Sequence, residues 1–356
     1  MRHGGDIYRN KVNMDLSVNL NPLGTPEAVA DALKESLKNA SVYPDIRQEG
    51  VRETIAEYLG CDPECVYAGN GASELLMALV RAVAPRKACI FEPAFSGYEY
   101  ALGSVGSSIF RNVLKEEEGF ALTKEDLSIL DKDTDLIFVC DPGNPSGRNI
   151  SDDVMEELLY RAEANDAALC VDESFFLLSD KAPGTSRIRF VDEVKKHKKL
   201  YVVRSLTKLF ALPGIRMGYV LSSPENIEGI IRQLPEWNLP VTAEAAICAG
   251  MKLLKETDLV RDSVEEIRKE RNYLSEELKR LGIRVCESDT CFMLCEGPEG
   301  LYGKLLKKGV MIRDCSDERG LGKTYFRITV SKHRTNESFI KILEDVMHEN
   351  RNCEAG

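Results

Sequence analysis

Lys208 closes the run Arg204-Ser205-Leu206-Thr207-Lys208, and Arg216 follows in Leu212-Pro213-Gly214-Ile215-Arg216-Met217-Gly218-Tyr219. A lysine amine attacks an aldehyde once it has lost its proton, and nearby cationic charge favours that neutral form. The hydroxyls of Ser205 and Thr207, with the guanidinium of Arg216, would make a cradle for a phosphate. Alone, the run reads equally well as a hydroxyl-rich surface loop before an ordinary strand, and Ser-x-x-Lys also occurs in unrelated hydrolases.

Other parts of the same chemistry lie upstream. Ala168-Leu169-Cys170-Val171 reads as a short buried strand ending in Asp172-Glu173. A carboxylate at the C-terminal end of a strand can keep a pyridine nitrogen protonated, which makes the ring an electron sink. Leu136-Ile137-Phe138-Val139-Cys140 is a second buried strand, running into Asp141-Pro142-Gly143-Asn144-Pro145-Ser146-Gly147, where Asn144 can donate to a phenolate oxygen. Gly69-Asn70-Gly71-Ala72-Ser73-Glu74 precedes an apolar helical stretch, so the amides from Gly71 to Ser73 open a helix N-terminus toward an anion. Phe95 can stack on an aromatic ring, and fits equally as a core aromatic. Amine, ring carboxylate, phenolate donor and a two-part phosphate cup are what pyridoxal 5'-phosphate requires.

These motifs, in this order and over nearly the whole chain, resemble the fold-type I pyridoxal phosphate enzymes of the class I and II aminotransferase family. The resemblance implies an α/β fold: a large domain with a mostly parallel, doubly wound sheet, plus a smaller α+β domain. It implies that Lys208 carries the cofactor covalently, that Asp172 partners the pyridine nitrogen, and that Asn144 donates to the phenolate. Ala72, Ser73, Ser205, Thr207 and Arg216 match the phosphate site. Tyr43, in a Tyr-Pro-Asp run that would otherwise be read as a turn, matches a tyrosine that reaches the cofactor phosphate of a neighbouring subunit. That match implies a homodimer with shared active sites.

The substrate side rests on other residues. His3-Gly4-Gly5, the run Asn19-Leu20-Asn21-Pro22-Leu23-Gly24, and the arginines of Met311-Ile312-Arg313-Asp314-Cys315 and Tyr325-Phe326-Arg327-Ile328 are together similar to the threonine-phosphate decarboxylases of cobalamin biosynthesis. Phe175 agrees, since many aminotransferases have a tyrosine there and the decarboxylase branch tends to carry phenylalanine. A guanidinium on a strand, here Arg327, can grip a substrate carboxylate with two parallel bonds. A phosphorylated side chain needs a second cation, which Arg313 supplies with His3 and the backbone at Gly4, while Asn19 and Asn144 orient the substrate. Either arginine alone would also serve in a surface ion pair, and His3 alone is an ordinary terminal residue. The resemblance implies decarboxylation of L-threonine O-3-phosphate to (R)-1-amino-2-propanol O-2-phosphate. The alternatives are L-serine O-phosphate as substrate, histidinol-phosphate aminotransferase activity, and a non-catalytic pyridoxal-binding protein.

The elements that must position these residues follow from the hydropathy pattern. We expect an N-terminal arm and small-domain segment over 1–44, a cofactor domain over 45–240 in which helices alternate with buried strands, and a C-terminal small domain over 241–356. Thr25 and Pro26 read as the N-cap and first residue of a helix with the stripe Val29, Leu33 and Leu37. A long amphipathic helix is expected over about 256–281 through Val260, Val264, Ile267, Leu274, Leu278 and Leu281, and another around Phe339 to Met347. At 356 residues, 43% hydrophobic and net charge −11, the chain can bury a full core and is a poor partner for nucleic acid or an anionic membrane. No apolar signal core and no run of roughly 18 apolar residues is present, so a cytoplasmic protein is expected. The 11 cysteines are scattered without a Cys-x-x-Cys pair, which favours reduced thiols over a structural metal.

Overall fold

A computed structural model of the chain describes residues 4–184 and 190–354. After a short strand β1 (Met14–Asp15), seven strands form one sheet: β2 (Val66–Asn70), β3 (Lys87–Glu92), β4 (Ser108–Val113), β5 (Leu136–Cys140), β6 (Ala168–Asp172), β7 (Leu200–Ser205) and β8 (Met217–Leu221). Their order is β2-β8-β7-β6-β5-β3-β4. Only β8 runs against its neighbours, and the remaining pairs are parallel.

The apolar runs read from the sequence make this sheet because it is covered on both faces. Ile137, Val139, Leu169, Val171 and Val202 enter one core cluster, while Phe138, Cys170, Tyr201 and Val203 enter the other. That division is the two-residue alternation of a strand. Because β5, β6 and β7 are parallel, their carboxyl ends lie side by side, and the loops leaving Cys140, Asp172 and Ser205 open on one edge.

A second, antiparallel sheet of order β12-β13-β10-β9 is built from β9 (Arg284–Val285), β10 (Phe292–Glu296), β12 (Arg313–Asp314) and β13 (Tyr325–Thr329). Between them β11 (Val310–Met311) pairs in parallel with β1. Leu16 therefore shares a core with Leu274, Leu278, Met293, Ile328, Phe339 and Leu343.

Three helix boundaries differ from the sequence reading. The first helix is Glu27–Ser36, with Pro26 as the extended cap residue and no side-chain cap from Thr25. The Pro26 carbonyl accepts from the amides of Val29 and Ala30, both at 3.1 Å. A 3₁₀ turn over Leu37–Asn39 ends it, and the tighter winding turns Leu37 to solvent, 63% exposed. The long helix begins at Leu259, not 256, because Thr257 is extended and separates it from the helix Val241–Glu256. The Thr257 hydroxyl donates to the Leu253 carbonyl at 2.8 Å and accepts from the Leu259 amide at 3.4 Å, competing with the helix ladder. The last helix spans His333–Glu354. Residue 240, the expected division, precedes the helix Val241–Glu256, whose Ala243, Ala246 and Ile247 pack in the core of the seven-stranded sheet. Among the described residues no helix is long and apolar enough to cross a membrane.

Candidate active site

Asp172 ends the fully buried strand β6 and is itself 3% exposed. Burial pushes its carboxyl above the usual range, opposed by hydrogen bonds from the Ser174 amide (2.9 Å) and the Tyr98 hydroxyl (2.8 Å). Tyr98 is fixed in turn by stacking on Phe138 (centroids 4.7 Å) and by the edge of Phe95 (5.6 Å). The carboxylate is thus poised for a cationic N–H partner, which would supply the charge that burial removes.

Lys208 lies in the short helix Leu206–Leu209 directly after β7. Burial, then the positive charges of Arg327 and Arg216, push its amine down to about 8. A lysine in that range has a fraction of its amine neutral near physiological pH, far more than an ordinary lysine. Its Nζ sits 5.8 Å from the Phe175 ring centroid, so no side-chain hydroxyl of residue 175 enters this part of the site.

The phosphate cup is built from a turn and two strand ends. Gly71 has φ +77°, and a Cβ there would stand 2.6 Å from Arg216 Nη2, so only glycine lets that guanidinium lie against the turn. Arg216 donates to the carbonyls of Asn70 (3.3 Å) and Pro213 (3.2 Å) and remains exposed. Ser205 Oγ and Thr207 Oγ1 are 2.7 Å apart. Glu74, in the first turn of the helix Ala72–Val83, carries the wrong charge for an anion site. It is held by the Asn70 amide (2.8 Å), the Asn70 side chain (3.0 Å) and Asn238 (2.9 Å). The amides of Ala72 and Ser73, the paired hydroxyls and Arg216 fit a phosphate, and Asp172 with Lys208 fits the rest of pyridoxal phosphate.

On the other side, β12 and β13 pair with Arg313 directly opposite Arg327, so the two guanidiniums leave one face of the sheet together. Arg327 donates through Nη1 to Asn144 Oδ1, and through Nη2 to the Ser17 carbonyl at 3.1 Å. Its Nε is buried without a partner. Burial, and Arg313 beside it, lower its affinity for a proton. Arg313 is 7% exposed and donates to Glu318 Oε1 at 2.6 Å. Asn19 is 2% exposed with both amide atoms buried and unpartnered, an arrangement that costs about 1–3 kcal/mol per group unless a ligand or water satisfies it. The N-terminal arm reaches the same place. The Gly5 amide donates to Ser17 Oγ at 2.8 Å, and a Cβ on Gly4 would meet the Ser17 carbonyl at 2.5 Å.

These groups line one cavity of ≈ 540 Å³ that runs from Gly4 and Asn19 past Arg313 and Arg327 to Lys208 and Arg216. Ala72, Ser73, Phe95, Asn144, Asp172, Ser205 and Thr207 also line it. Gly71 stands behind Arg216, and His3 lies outside the described residues. Tyr43 is elsewhere, 79% exposed with its ring 5.0 Å from that of Trp237. Among the described residues no group of three or more His, Cys, Asp or Glu is placed to hold a metal ion.

Several contributors were not singled out from the sequence. Tyr98 could have been suspected from its i+3 spacing to Phe95. Ser17 stands two residues before the run that begins at Asn19, but nothing in its type announces a link between the arm and Arg327. Glu318 sits in a Ser-Asp-Glu-Arg turn that reads as a solvated one. Beneath the site, on the other face of the sheet, Glu173 and Arg204 form an ion pair of 2.7 Å with side chains 0% and 1% exposed, and Arg204 also donates to the Tyr219 hydroxyl at 3.1 Å.

The sheet order and the set of donors around Lys208 define a pyridoxal phosphate protein of fold type I. The class I and II aminotransferase model matches residues 11–343, and the chain belongs to that family, whose cofactor is pyridoxal 5'-phosphate. A protein from Caldanaerobacter subterraneus subsp. tengcongensis, assigned as a threonine-phosphate decarboxylase, is 35% identical over 98% of this chain and 94% of its own. The histidinol-phosphate aminotransferase of Methanosphaera stadtmanae is 29% identical over 93% of this chain and 90% of its own. Among solved structures, the histidinol-phosphate aminotransferase from Clostridium acetobutylicum superposes with a TM-score of 0.85 at 31% identity, covering 94% of this chain and 99% of that one.

Proposed function

We propose that the protein decarboxylates L-threonine O-3-phosphate, giving (R)-1-amino-2-propanol O-2-phosphate and carbon dioxide, as a step in making a cobamide. The observation that carries this reading is the pairing of Arg313 with Arg327 across β12 and β13, facing Lys208 within one cavity. A small amino acid with a carboxylate and a phosphate has two anionic ends, and two cations side by side on one strand pair match both. The similarity to the Caldanaerobacter protein supports the same choice.

In this reading Lys208, Asp172, Asn144, Phe95 and the cup formed by Gly71, Ala72, Ser73, Ser205, Thr207 and Arg216 hold the cofactor. Pyridoxal phosphate supplies an electron sink for the charge left at the substrate's Cα when carbon dioxide departs. Asp172, kept by Tyr98 and Ser174, holds the proton on the ring nitrogen. Arg327, anchored by Asn144 and the Ser17 carbonyl, fixes the carboxylate. Arg313, His3 and the backbone at Gly4 hold the phosphate, and Asn19 supplies its amide to the substrate between them. Lys208 Nζ returns a proton to Cα, which its lowered proton affinity suits. L-serine O-phosphate lacks one methyl, a difference of about 1–3 kcal/mol in discrimination, and is the nearest competing substrate.

Histidinol-phosphate aminotransferase activity is the rival, favoured by the fit to the Clostridium structure. Histidinol phosphate has no carboxylate, so that reaction leaves Arg327 without its ligand unless a 2-oxo acid occupies it. The purified holoenzyme should convert threonine phosphate to 1-amino-2-propanol O-2-phosphate, identified by mass. Amino transfer from histidinol phosphate to 2-oxoglutarate, with threonine phosphate left intact, would overturn the proposal.

A further inference from the structure

Glu318 lines the cavity and holds Arg313, although the side chain this cavity is proposed to accept is an anion. We propose that Glu318 is a built-in counter-anion, which occupies Arg313 until the substrate's phosphate displaces it and so sets how tightly phosphorylated ligands bind. This rests on the reading of Arg313 as the phosphate-side cation.

The geometry is that of an exchangeable partner. Glu318 meets Arg313 through one short contact, Nη2 to Oε1 at 2.6 Å, and Asp317 stands 3.9 Å away. A single contact leaves other donors of the Arg313 fork uncommitted. Both side chains are largely enclosed, 8% and 14% exposed, so the attraction is only weakly screened and the pair has a real effect on what Arg313 can bind. Without Glu318, Arg313 and Arg327 would face each other as two cations in register; Glu318 favours the charged form of Arg327, as Arg313 opposes it.

Glu318 stands on a turn rather than within a strand or helix. Glu318 lies in the Cys315–Leu321 turn of the connection between β12 and β13, the two strands that bear the arginines, and its backbone amide donates to the Cys315 carbonyl at 3.0 Å. That turn also touches the large domain: a Cβ on Gly320 would meet Val113 of β4 at 2.8 Å, and Arg319 lies 3.8 Å from Glu99 in the helix Gly97–Gly103. A phosphate carries nearly two charges and three acceptor oxygens, so it can replace a carboxylate on a guanidinium. A free hydroxyl, as in threonine itself, cannot. Glu318 therefore lowers the affinity for every phosphorylated ligand and leaves that for uncharged side chains as it is, since these neither displace it nor gain anything from Arg313.

Glu318→Gln keeps the shape and removes the charge. In the holoenzyme, where the cofactor fills its own cup, the KM for threonine phosphate and the inhibition constant of inorganic phosphate should both fall by about tenfold, the worth of one charge-assisted bond. Inhibition by unphosphorylated threonine should change little, and calorimetry with inorganic phosphate should give the same gain without turnover. Arg313→Met is the companion variant and should raise the KM for threonine phosphate. If Arg313→Met raises it while Glu318→Gln raises it or leaves it alone, Glu318 is a support for Arg313 and the counter-anion proposal falls. If Arg313→Met leaves it unchanged, the phosphate reading of Arg313 fails and this inference fails with it.

Discussion

Lys208 shows how far one side chain's chemistry is set by what surrounds it. Its amine is brought to about 8 first by burial, then by Arg327 and Arg216. The sign is that of a base whose charged form is disfavoured: below that pH it is protonated and unreactive, and above it the free amine dominates. In cofactor-free protein, the rate at which pyridoxal phosphate is captured should rise with pH through a midpoint near 8, not near the ordinary lysine value of about 10.4. Arg327→Met removes a nearby cation and should move that midpoint upward, as followed by stopped-flow absorbance. A midpoint unchanged by the substitution would show that Arg327 does not act on Lys208. The residues legible in the sequence were those whose role follows from type and local context: a lysine after hydroxyls, an aspartate ending an apolar run, glycines before a helix. Tyr98 and Ser17 were not, because their partners Asp172 and Arg327 lie far along the chain and only the folded sheets bring them together.

At the scale of elements, the site depends on strands whose ends must stay in register. Asp172 and Ser205 face the cavity, and their neighbours Glu173 and Arg204 point to the other face, where they form a buried pair. The alternation that puts catalytic groups on one side thus puts a lock on the other. Arg204→Met would leave Glu173 charged and buried, and should destabilise the protein by about 3–5 kcal/mol in chemical denaturation. Replacing both by apolar residues of similar volume should recover most of that loss. If the single variant were as stable as the parent, the pair would not be fastening β6 to β7. Apolar runs announced the strands well, because both faces of the sheet are covered. Helix ends were less legible, since Thr257 breaks a continuous amphipathic pattern through a side-chain bond that hydropathy does not register. Nothing in the two runs that carry Arg313 and Arg327 announced that they would stand opposite each other; the pairing of β12 with β13 brings them together.

At the scale of the molecule, Tyr43 bears on the assembly. It is 79% exposed beside Trp237, with Val42 64% and Ile46 44% exposed nearby in sequence, and it does not line the cavity of its own chain. We propose that it completes the phosphate cup of a second copy, so that two chains share two sites. Mixing Lys208→Ala with Tyr43→Ala protein, after exchange of subunits, should restore activity above the sum of the two. A heterodimer would then contain one site with both residues. No recovery, with exchange demonstrated, would mean that Tyr43 serves its own chain or none. The central claim concerns which bond at Cα is broken, and it is tested by giving the holoenzyme threonine phosphate labelled in its carboxyl carbon. The account predicts one labelled carbon dioxide for each substrate consumed, without any 2-oxo acid acceptor. Label retained in a 2-oxo acid product, formed only when an acceptor is present, would contradict it.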